Sequence, residues 1–161
     1  MHMEIERKFL PGPLPFDIET FPKAEIVQGY ISADPVIRLR RMGGERFLTV
    51  KTLGGISRGE FEMALTKDQF EALWKKTEPG AIKKTRYLIP LENGPEEGLK
   101  GELDIYHGAL EGLVTLEVEF LDLERARAFT PLFWFGREVT GDHRYSNNSL
   151  AAHGLAKEHY R

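Results

Sequence analysis

Near its start the chain reads Glu4-Ile5-Glu6-Arg7-Lys8, so Glu4, Glu6 and Lys8 are separated by single residues. Successive side chains of a β-strand point to opposite faces, and residues two apart therefore share a face. The segment predicts a strand with one charged face. Charged pairs with the same spacing recur along the whole chain, and they guide the interpretation of the remaining sequence.

Short segments with period-two alternation lie between clusters of glycine and proline, which is typical of strands joined by tight turns. The predicted strands are Glu4–Leu10, Ala24–Ile31, Val36–Met42, Arg46–Thr52, Arg58–Leu65, Ile82–Pro90, Lys100–His107 and Val114–Leu121. Many short strands with few helices predict an antiparallel sheet that closes on itself or stacks on another sheet.

Helical patterns interrupt the strands at a few places. Thr66 and Gln69 have the spacing of a capping box, which predicts a helix that begins at Thr66. Helices are predicted from Thr66 to the stop at Pro79-Gly80, from about Asp122 to Phe129, and in a short segment after Asn148.

Length and composition are those of an ordinary soluble globular protein. The 161 residues predict a single domain, 1–161, with 41% hydrophobic and 29% charged residues and a net charge of -3. We expect no nucleic-acid partner, because the chain has no excess of basic residues. We expect no membrane partner either, because no apolar run approaches roughly 20 residues. The charged start does not resemble a signal peptide, and the lack of cysteine fits a cytoplasmic location.

One face of nearly every predicted strand carries almost only charged residues, in same-sign pairs such as Arg38/Arg40 and Glu117/Glu119. Alternation alone is also typical of a half-solvated sheet over an apolar sandwich core. Like charges two apart repel, however, so a solvated surface has little reason to repeat them. A closed barrel whose interior holds cations and a polyanion accounts for the pattern better.

The first charged segment resembles the ExExK signature of the CYTH superfamily, also called triphosphate tunnel metalloenzymes. Further matches follow in the family's order: Gln28-Gly29-Tyr30, Arg38-Leu39-Arg40, Thr49-Val50-Lys51, Glu60-Phe61-Glu62, Lys84-Thr85-Arg86-Tyr87, Glu102-Leu103-Asp104, Glu117-Val118-Glu119-Phe120 and Arg144-Tyr145-Ser146-Asn147. These segments cover almost the whole chain, and they look most like the compact bacterial tripolyphosphatase branch.

The resemblance implies a mainly β (α+β) fold, in which eight antiparallel strands close into a barrel with helices packed on the outside. It also implies an enzyme that requires Mg²⁺ or Mn²⁺ and hydrolyses a triphosphate, inorganic tripolyphosphate first, inside the barrel tunnel. A homodimer is a further expectation.

The resemblance also assigns roles to individual residues. The metal ligands are Glu4, Glu6, Asp104, Glu117 and Glu119, and Glu60 and Glu62 bind a second metal or orient basic residues. Substrate is bound by Lys8, Arg38, Arg40, Lys51, Lys84, Arg86 and Arg144. The catalytic residues are Glu4, Glu117, Lys84 and Tyr30. Carboxylates suit hard cations, and arginine suits phosphate oxygens.

Other functions remain open on the sequence alone. A class IV adenylyl cyclase or a thiamine triphosphatase would share the metal and triphosphate sites, and a non-catalytic module would sense polyphosphate or nucleotide. Trp134 and Phe135 could stack on a ring of the substrate, but packing against the barrel is the expected role. Which strand face points inward discriminates the charged tunnel from the sandwich.

Overall fold

Nine strands form one antiparallel sheet in a computed structural model of the chain, which describes residues 2–52, 54–91 and 98–155. The strands are β1 His2–Leu10, β2 Lys23–Ala33, β3 Val36–Met42, β4 Glu45–Lys51, β5 Ser57–Ala64, β6 Ile82–Pro90, β7 Lys100–Tyr106, β8 Val114–Glu119 and β9 Arg137–Glu138. The helices are α1 Lys67–Trp74, α2 Leu123–Ala128 and α3 Asn147–His153. Predicted and observed strand bounds differ by a few residues, and the short β9 was not predicted.

The sheet closes because β1 pairs with two strands along its length. Its first half pairs with β5 and its second half with β8, so the order β5-β4-β3-β2-β6-β7-β8-β1 returns to β5. Strand β9 pairs only with the last two residues of β1 and lies outside the ring. This confirms the predicted closed, antiparallel barrel of eight strands.

Strand register aligns the charged faces around the ring. Glu6 pairs with Glu119 and Lys8 with Glu117 across β1 and β8, and Glu4 pairs with Arg58 across β1 and β5. Directly paired residues lie on the same face of a sheet, so the charged side of β1 continues into both neighbouring strands. The closed sheet therefore has one continuous charged face.

The opposite face of the barrel is apolar and is covered from outside over β1, β7 and β8, whereas Phe61 and Met63 on β5 are exposed. Phe9, Leu103 and Val118 are nearly or fully buried there, in a cluster that includes Trp134 and Phe135. This cluster also contains residues of α2 and of the segment that follows it. The apolar face thus points outward against covering segments, and the charged face lines the interior. The sandwich interpretation is excluded, and Trp134 and Phe135 pack against the barrel as expected.

Helix α1 begins with the predicted capping box, in which Thr66 and Gln69 exchange side-chain and backbone hydrogen bonds. It ends at Trp74, earlier than predicted, where the Thr77 hydroxyl donates to the Trp74 carbonyl oxygen. The Trp74 ring lies against Gly29 on the outer face of β2, and a side chain at Gly29 would approach it within 3.0 Å. Glycine at this position therefore allows the helix to pack closely on the barrel.

Helix α3 departs from the prediction that the helices pack on the outside. Ser146 caps it, and Asn147, at its start, accepts hydrogen bonds from Lys84 and Tyr106, whose side chains point to the barrel interior. Residues at both ends of α3 line the interior cavity. None of the helices in the described ranges is long and apolar enough to span a bilayer.

We expect Gly136→Ala to destabilise the protein by about 2–3 kcal/mol more than Gly43→Ala. This is the upper part of the range that is typical when extra atoms are forced into a well-packed site. Both glycines have positive φ, 69° and 60°, so the backbone strain of an added side chain is similar. At Gly136 the new Cβ would also collide with the Leu10 carbonyl oxygen, whereas nothing lies within 4 Å at Gly43. Urea unfolding of both variants measures the difference, and equal losses would contradict the tight join between β9 and β1.

Candidate active site in the barrel interior

The barrel interior contains a cavity of about 530 Å³, and charged side chains make a large part of its wall. The acidic residues that line it are Glu4, Glu6, Glu60, Glu62, Glu102, Glu117, Glu119 and Asp142. The basic residues that line it are Lys8, Arg38, Arg40, Lys51, Arg58 and Arg86. The structure therefore brings together most of the residues that the sequence assigned to metal and substrate.

Three of the carboxylates act on one another at the β8–β1–β5 side of the cavity. Burial raises the pKa of Glu6 well above its ordinary value, and the negative charges of Glu117 and Glu4 raise it further. Burial also opposes ionisation of Glu4 and Glu117, but nearby cations prevail and lower both pKa values, that of Glu4 to about 2. Glu4 and Glu117 are thus ionised, whereas Glu6 resists ionisation unless a further positive charge lies nearby.

Two lysines hold these ionised carboxylates in place. The Lys51 ammonium lies 2.7 Å from Glu4 and 3.5 Å from Glu60. The Lys8 ammonium lies 3.2 Å from Glu117 and donates to the Tyr145 carbonyl oxygen at 2.6 Å. Each lysine is almost fully buried, so its charge acts on the cavity with little screening by water.

Two arginines of β3 give the neighbouring side of the cavity an excess of positive charge. Arg38 donates to Thr49 at 3.2 Å and lies 3.7 Å from Glu62, yet its Nε has no partner in the described part of the chain. Arg40 donates to the amide oxygen of Gln28. Burial, with Arg38 and Arg86 nearby, lowers the pKa of Arg40 to about 9. An anion in the cavity would stabilise both charged guanidinium groups.

Lys84 and Asp104 do not line the cavity in the described part of the chain, and their predicted roles toward substrate and metal stay predictions. They are 0% and 1% exposed and pair with each other at 2.8 Å, while Arg86 forms a bidentate bond to Asp104. Burial lowers the pKa of Lys84 to about 7 against the opposing charge of Asp104. Asp104 is thus bonded to two cations, and of these three residues Arg86 is the one that lines the cavity.

Arg144 also lies elsewhere than predicted. Its guanidinium binds Asp142 at 2.6 Å, packs over the Tyr145 ring and does not line the cavity. The cause is local, since the carboxylate only two residues earlier both caps the turn at His143–Tyr145 and holds the arginine. The neighbouring Asp142 and His143 do line the cavity.

Sequence reasoning assigned no role to several residues that the structure brings into the site. Arg58 shares the inward face of β5 with Glu60 and lies 3.3 Å from Glu4, so the period-two pattern was the signal for it. Gln28 is fully buried on the inward face of β2 beside Arg40. Asn147 enters the site through α3, for which no strand periodicity gives a signal.

The donor types of the interior fit a hard divalent cation. Carboxylate oxygens are the ligands that Mg²⁺ prefers, and mutual repulsion among Glu4, Glu6 and Glu117 is what such a cation would relieve. In the described ranges, however, no group of three or more acidic or histidine side chains is arranged as a metal site. The lysine and arginine ion pairs hold these carboxylates instead.

Sequence and structure comparisons agree with this architecture. An inorganic triphosphatase of Nitrosomonas europaea is 44% identical over 156 residues, which is 92% of this chain and 96% of the relative. One of Acetivibrio thermocellus is 38% identical over 155 residues, 93% and 94% of the two chains. A crystal structure of an inorganic triphosphatase, 40% identical, matches with a TM-score of 0.69 over 97% of this chain and 99% of its own.

No protein-family model matches the chain. The identities to full-length relatives and the shared closed barrel nonetheless point to the same group of proteins. The chain belongs to the CYTH superfamily of triphosphate tunnel metalloenzymes, in the branch of the bacterial inorganic triphosphatases.

Proposed function

We propose that the protein hydrolyses inorganic tripolyphosphate inside its barrel, with Mg²⁺ or Mn²⁺ as cofactor. The observation that carries this proposal is the cavity of the closed barrel, in which buried or half-buried cations face a set of mostly half-buried carboxylates. A receptor for a bare anion would need the cations alone. Water supplies the nucleophile: its oxygen bonds to a terminal phosphorus as the bridging P–O bond breaks, which yields phosphate and pyrophosphate.

The basic side of the cavity would bind the triphosphate. Arg38 and Arg40 have donors to offer there, because the Nε of Arg38 is unpartnered in the described part of the chain and Arg40 has only an amide acceptor. Guanidinium groups bind phosphate oxygens in a bidentate manner and keep their charge when buried. Lys8, Lys51 and Arg86 already form ion pairs with carboxylates, so they would balance negative charge on both the carboxylates and the triphosphate.

The acidic side of the cavity would hold the cation and orient the water. Glu4, Glu6 and Glu117 are the residues that would hold it, with Glu119 at the edge of the same sheet face. When bound, a divalent cation neutralises charge that develops on the phosphate oxygens. Glu117 stays ionised because Lys8 and Arg86 outweigh the effect of burial on its pKa, so it can accept a hydrogen bond from the attacking water.

The lining of the cavity favours a substrate without an aromatic group. Neither tryptophan lies in the cavity wall, and the aliphatic lining residues are the small side chains Ala33, Val36, Val139 and Ala152. Tyr30 does line the cavity, but it is only 7% exposed and so offers little surface for stacking. Recognition of an adenine or a thiamine ring would need an apolar or aromatic surface on which the ring could stack. The cavity therefore fits tripolyphosphate better than ATP or thiamine triphosphate.

We expect phosphate release from tripolyphosphate to exceed release from ATP or thiamine triphosphate by at least about tenfold in kcat/KM, which corresponds to roughly 1.4 kcal/mol of discrimination. Parallel assays with Mg²⁺ and Mn²⁺, each at equal substrate concentration, measure this ratio, and a cyclic AMP assay on the ATP samples detects cyclase activity. Preference for ATP or thiamine triphosphate would contradict the substrate assignment. Tripolyphosphate binding without any turnover would identify a sensor. A homodimer stays a prediction from the resemblance, and a cytoplasmic location stays a prediction from the composition of the chain.

A further inference from the structure

The cavity wall contains a buried glutamine whose role follows from hydrogen-bond chemistry. Gln28 on β2 is fully buried and lies between two polar neighbours on the same inward face. Its amide oxygen accepts from the Arg40 Nε at 3.0 Å, and its amide nitrogen lies 2.8 Å from the Tyr30 hydroxyl oxygen. A completely buried amide needs partners at both ends, and here it has them.

Only one orientation of this amide is chemically possible. A guanidinium group has donors and no acceptor, so the end of Gln28 that faces Arg40 must be the carbonyl oxygen. The NH₂ group must then face Tyr30, and the Tyr30 oxygen must accept this hydrogen bond. The single proton of the Tyr30 hydroxyl is consequently directed away from Gln28.

No acceptor in the described part of the chain takes that proton, since the Tyr30 hydroxyl has no hydrogen-bond partner there besides the Gln28 amide. The charged groups that act on Tyr30 are the cations Arg38, Arg40 and Lys8, none of which can accept a hydrogen bond. Burial raises the pKa of Tyr30 above its ordinary value, so the hydroxyl keeps its proton. Since Tyr30 lines the cavity, a water molecule there, or an anion bound among these cations, can receive the proton.

We propose that Gln28 is a positioning residue that keeps the Tyr30 hydroxyl proton directed at an oxygen of the bound triphosphate. This inference rests on the proposed hydrolysis and identifies the residue that fixes one of its hydrogen-bond donors. A donor held in place before the substrate binds stabilises charge on phosphate oxygens without reorganisation. The alternative role for Gln28 is to satisfy Arg40 and nothing more.

Kinetics of Gln28 variants, with and without the Tyr30 hydroxyl, separate these roles. We expect Gln28→Met to lower kcat for tripolyphosphate by about five- to tenfold, the size expected for one lost neutral hydrogen bond. The same substitution in a Tyr30→Phe background should leave kcat unchanged within about twofold, since no hydroxyl proton remains to direct. The change in KM should be the same in both backgrounds, because the bond to Arg40 is lost in both.

Gln28→Glu provides the second variant. A glutamate side chain has nearly the same size as glutamine, and its carboxylate still accepts a hydrogen bond from Arg40. It would also accept the Tyr30 proton and turn it away from the cavity, so kcat should again fall only when the hydroxyl is present. Gln69→Met, at the other glutamine of the chain, serves as the matched control and should leave kcat unchanged.

Equal loss of kcat with and without the Tyr30 hydroxyl, in both Gln28 variants, would overturn the positioning role and leave the hydrolase intact. Absence of turnover in the unmodified protein would overturn the proposed function, and the inference on Gln28 with it. Thermal unfolding of each variant verifies that the kinetic comparison is made between folded proteins.

Discussion

Glu117→Gln is expected to reduce kcat/KM for tripolyphosphate by at least about 100-fold. Loss of a residue that supports a metal ligand lowers metal affinity or activity by about 10- to 100-fold, and loss of the ligand itself should cost at least as much. The substitution keeps the size of the side chain but removes a negative charge at the point where Lys8 and Glu6 meet it. The cation would lose a ligand and the attacking water an acceptor. Phosphate release at saturating and limiting substrate measures the change.

Glu71→Gln is the matched control, since Glu71 lies exposed on α1 in a pair with Lys67 and far from the barrel interior. The kcat/KM of Glu71→Gln should stay within about twofold of that of the unmodified protein. A surface ion pair contributes only roughly 0–1 kcal/mol to the free energy of unfolding, so this variant should remain folded. Thermal unfolding of Glu117→Gln guards against simple loss of the fold. A folded Glu117→Gln protein with activity close to that of the control would contradict the assigned role.

Strand periodicity was sufficient to predict which side chains share a face, and the repeated same-sign pairs indicated that this face lines the barrel. Glu4, Glu6 and Lys8 are two apart and therefore lie on one face of β1. The apolar residues between them are buried against segments outside the barrel, so the charged face points to the interior. The predicted capping box of α1 was also confirmed, because it depends only on residues within a single turn. Local patterns with a fixed period were thus reliable for both elements.

Periodicity could not show how far each inward side chain reaches. Asp104 lies on the same face of β7 as Glu102, but it pairs directly with Arg86 of the neighbouring strand β6. Its side chain is buried and does not line the cavity. Arg144 was assigned to substrate because of its motif, whereas a carboxylate two residues away holds it. Arg58 meets Glu4 only because β5 closes onto β1, and that register follows from the three-dimensional fold.

Asp104→Asn is expected to lower the free energy of unfolding at pH 7 by about 3–5 kcal/mol, the range for removal of one partner from a buried ion pair. Asp104 is 1% exposed and its carboxylate is bonded to both Lys84 and Arg86. The amide would leave the buried Lys84 without its paired carboxylate, and Arg86 would keep only its pair with Glu102. Urea unfolding at pH 7 measures the loss, with the exposed Asp68→Asn in α1 as control.

The same pair of proteins predicts a dependence on pH. Burial raises the pKa of Asp104, but Lys84 and Arg86 lower it to about 2, below its ordinary value of 3.8. A carboxylate whose pKa is depressed by folding contributes stability above its unfolded pKa and loses it as pH falls toward the folded value. Below about pH 5, where Lys84 is protonated, the difference between the unmodified protein and Asp104→Asn should therefore shrink as pH falls toward 2. A difference that does not change over this range would contradict the buried ion pair.

The account is tested most directly by phosphate release from tripolyphosphate after chelation of divalent cations and after Mg²⁺ or Mn²⁺ is restored. The unmodified protein is compared with Glu4→Gln/Glu6→Gln, which removes interior carboxylates while the basic residues stay in place. We predict release that requires the cation in the unmodified protein and that is lost in the double variant. Release that persists without a cation, or at an unchanged rate in the double variant, would contradict metal-dependent hydrolysis inside the barrel.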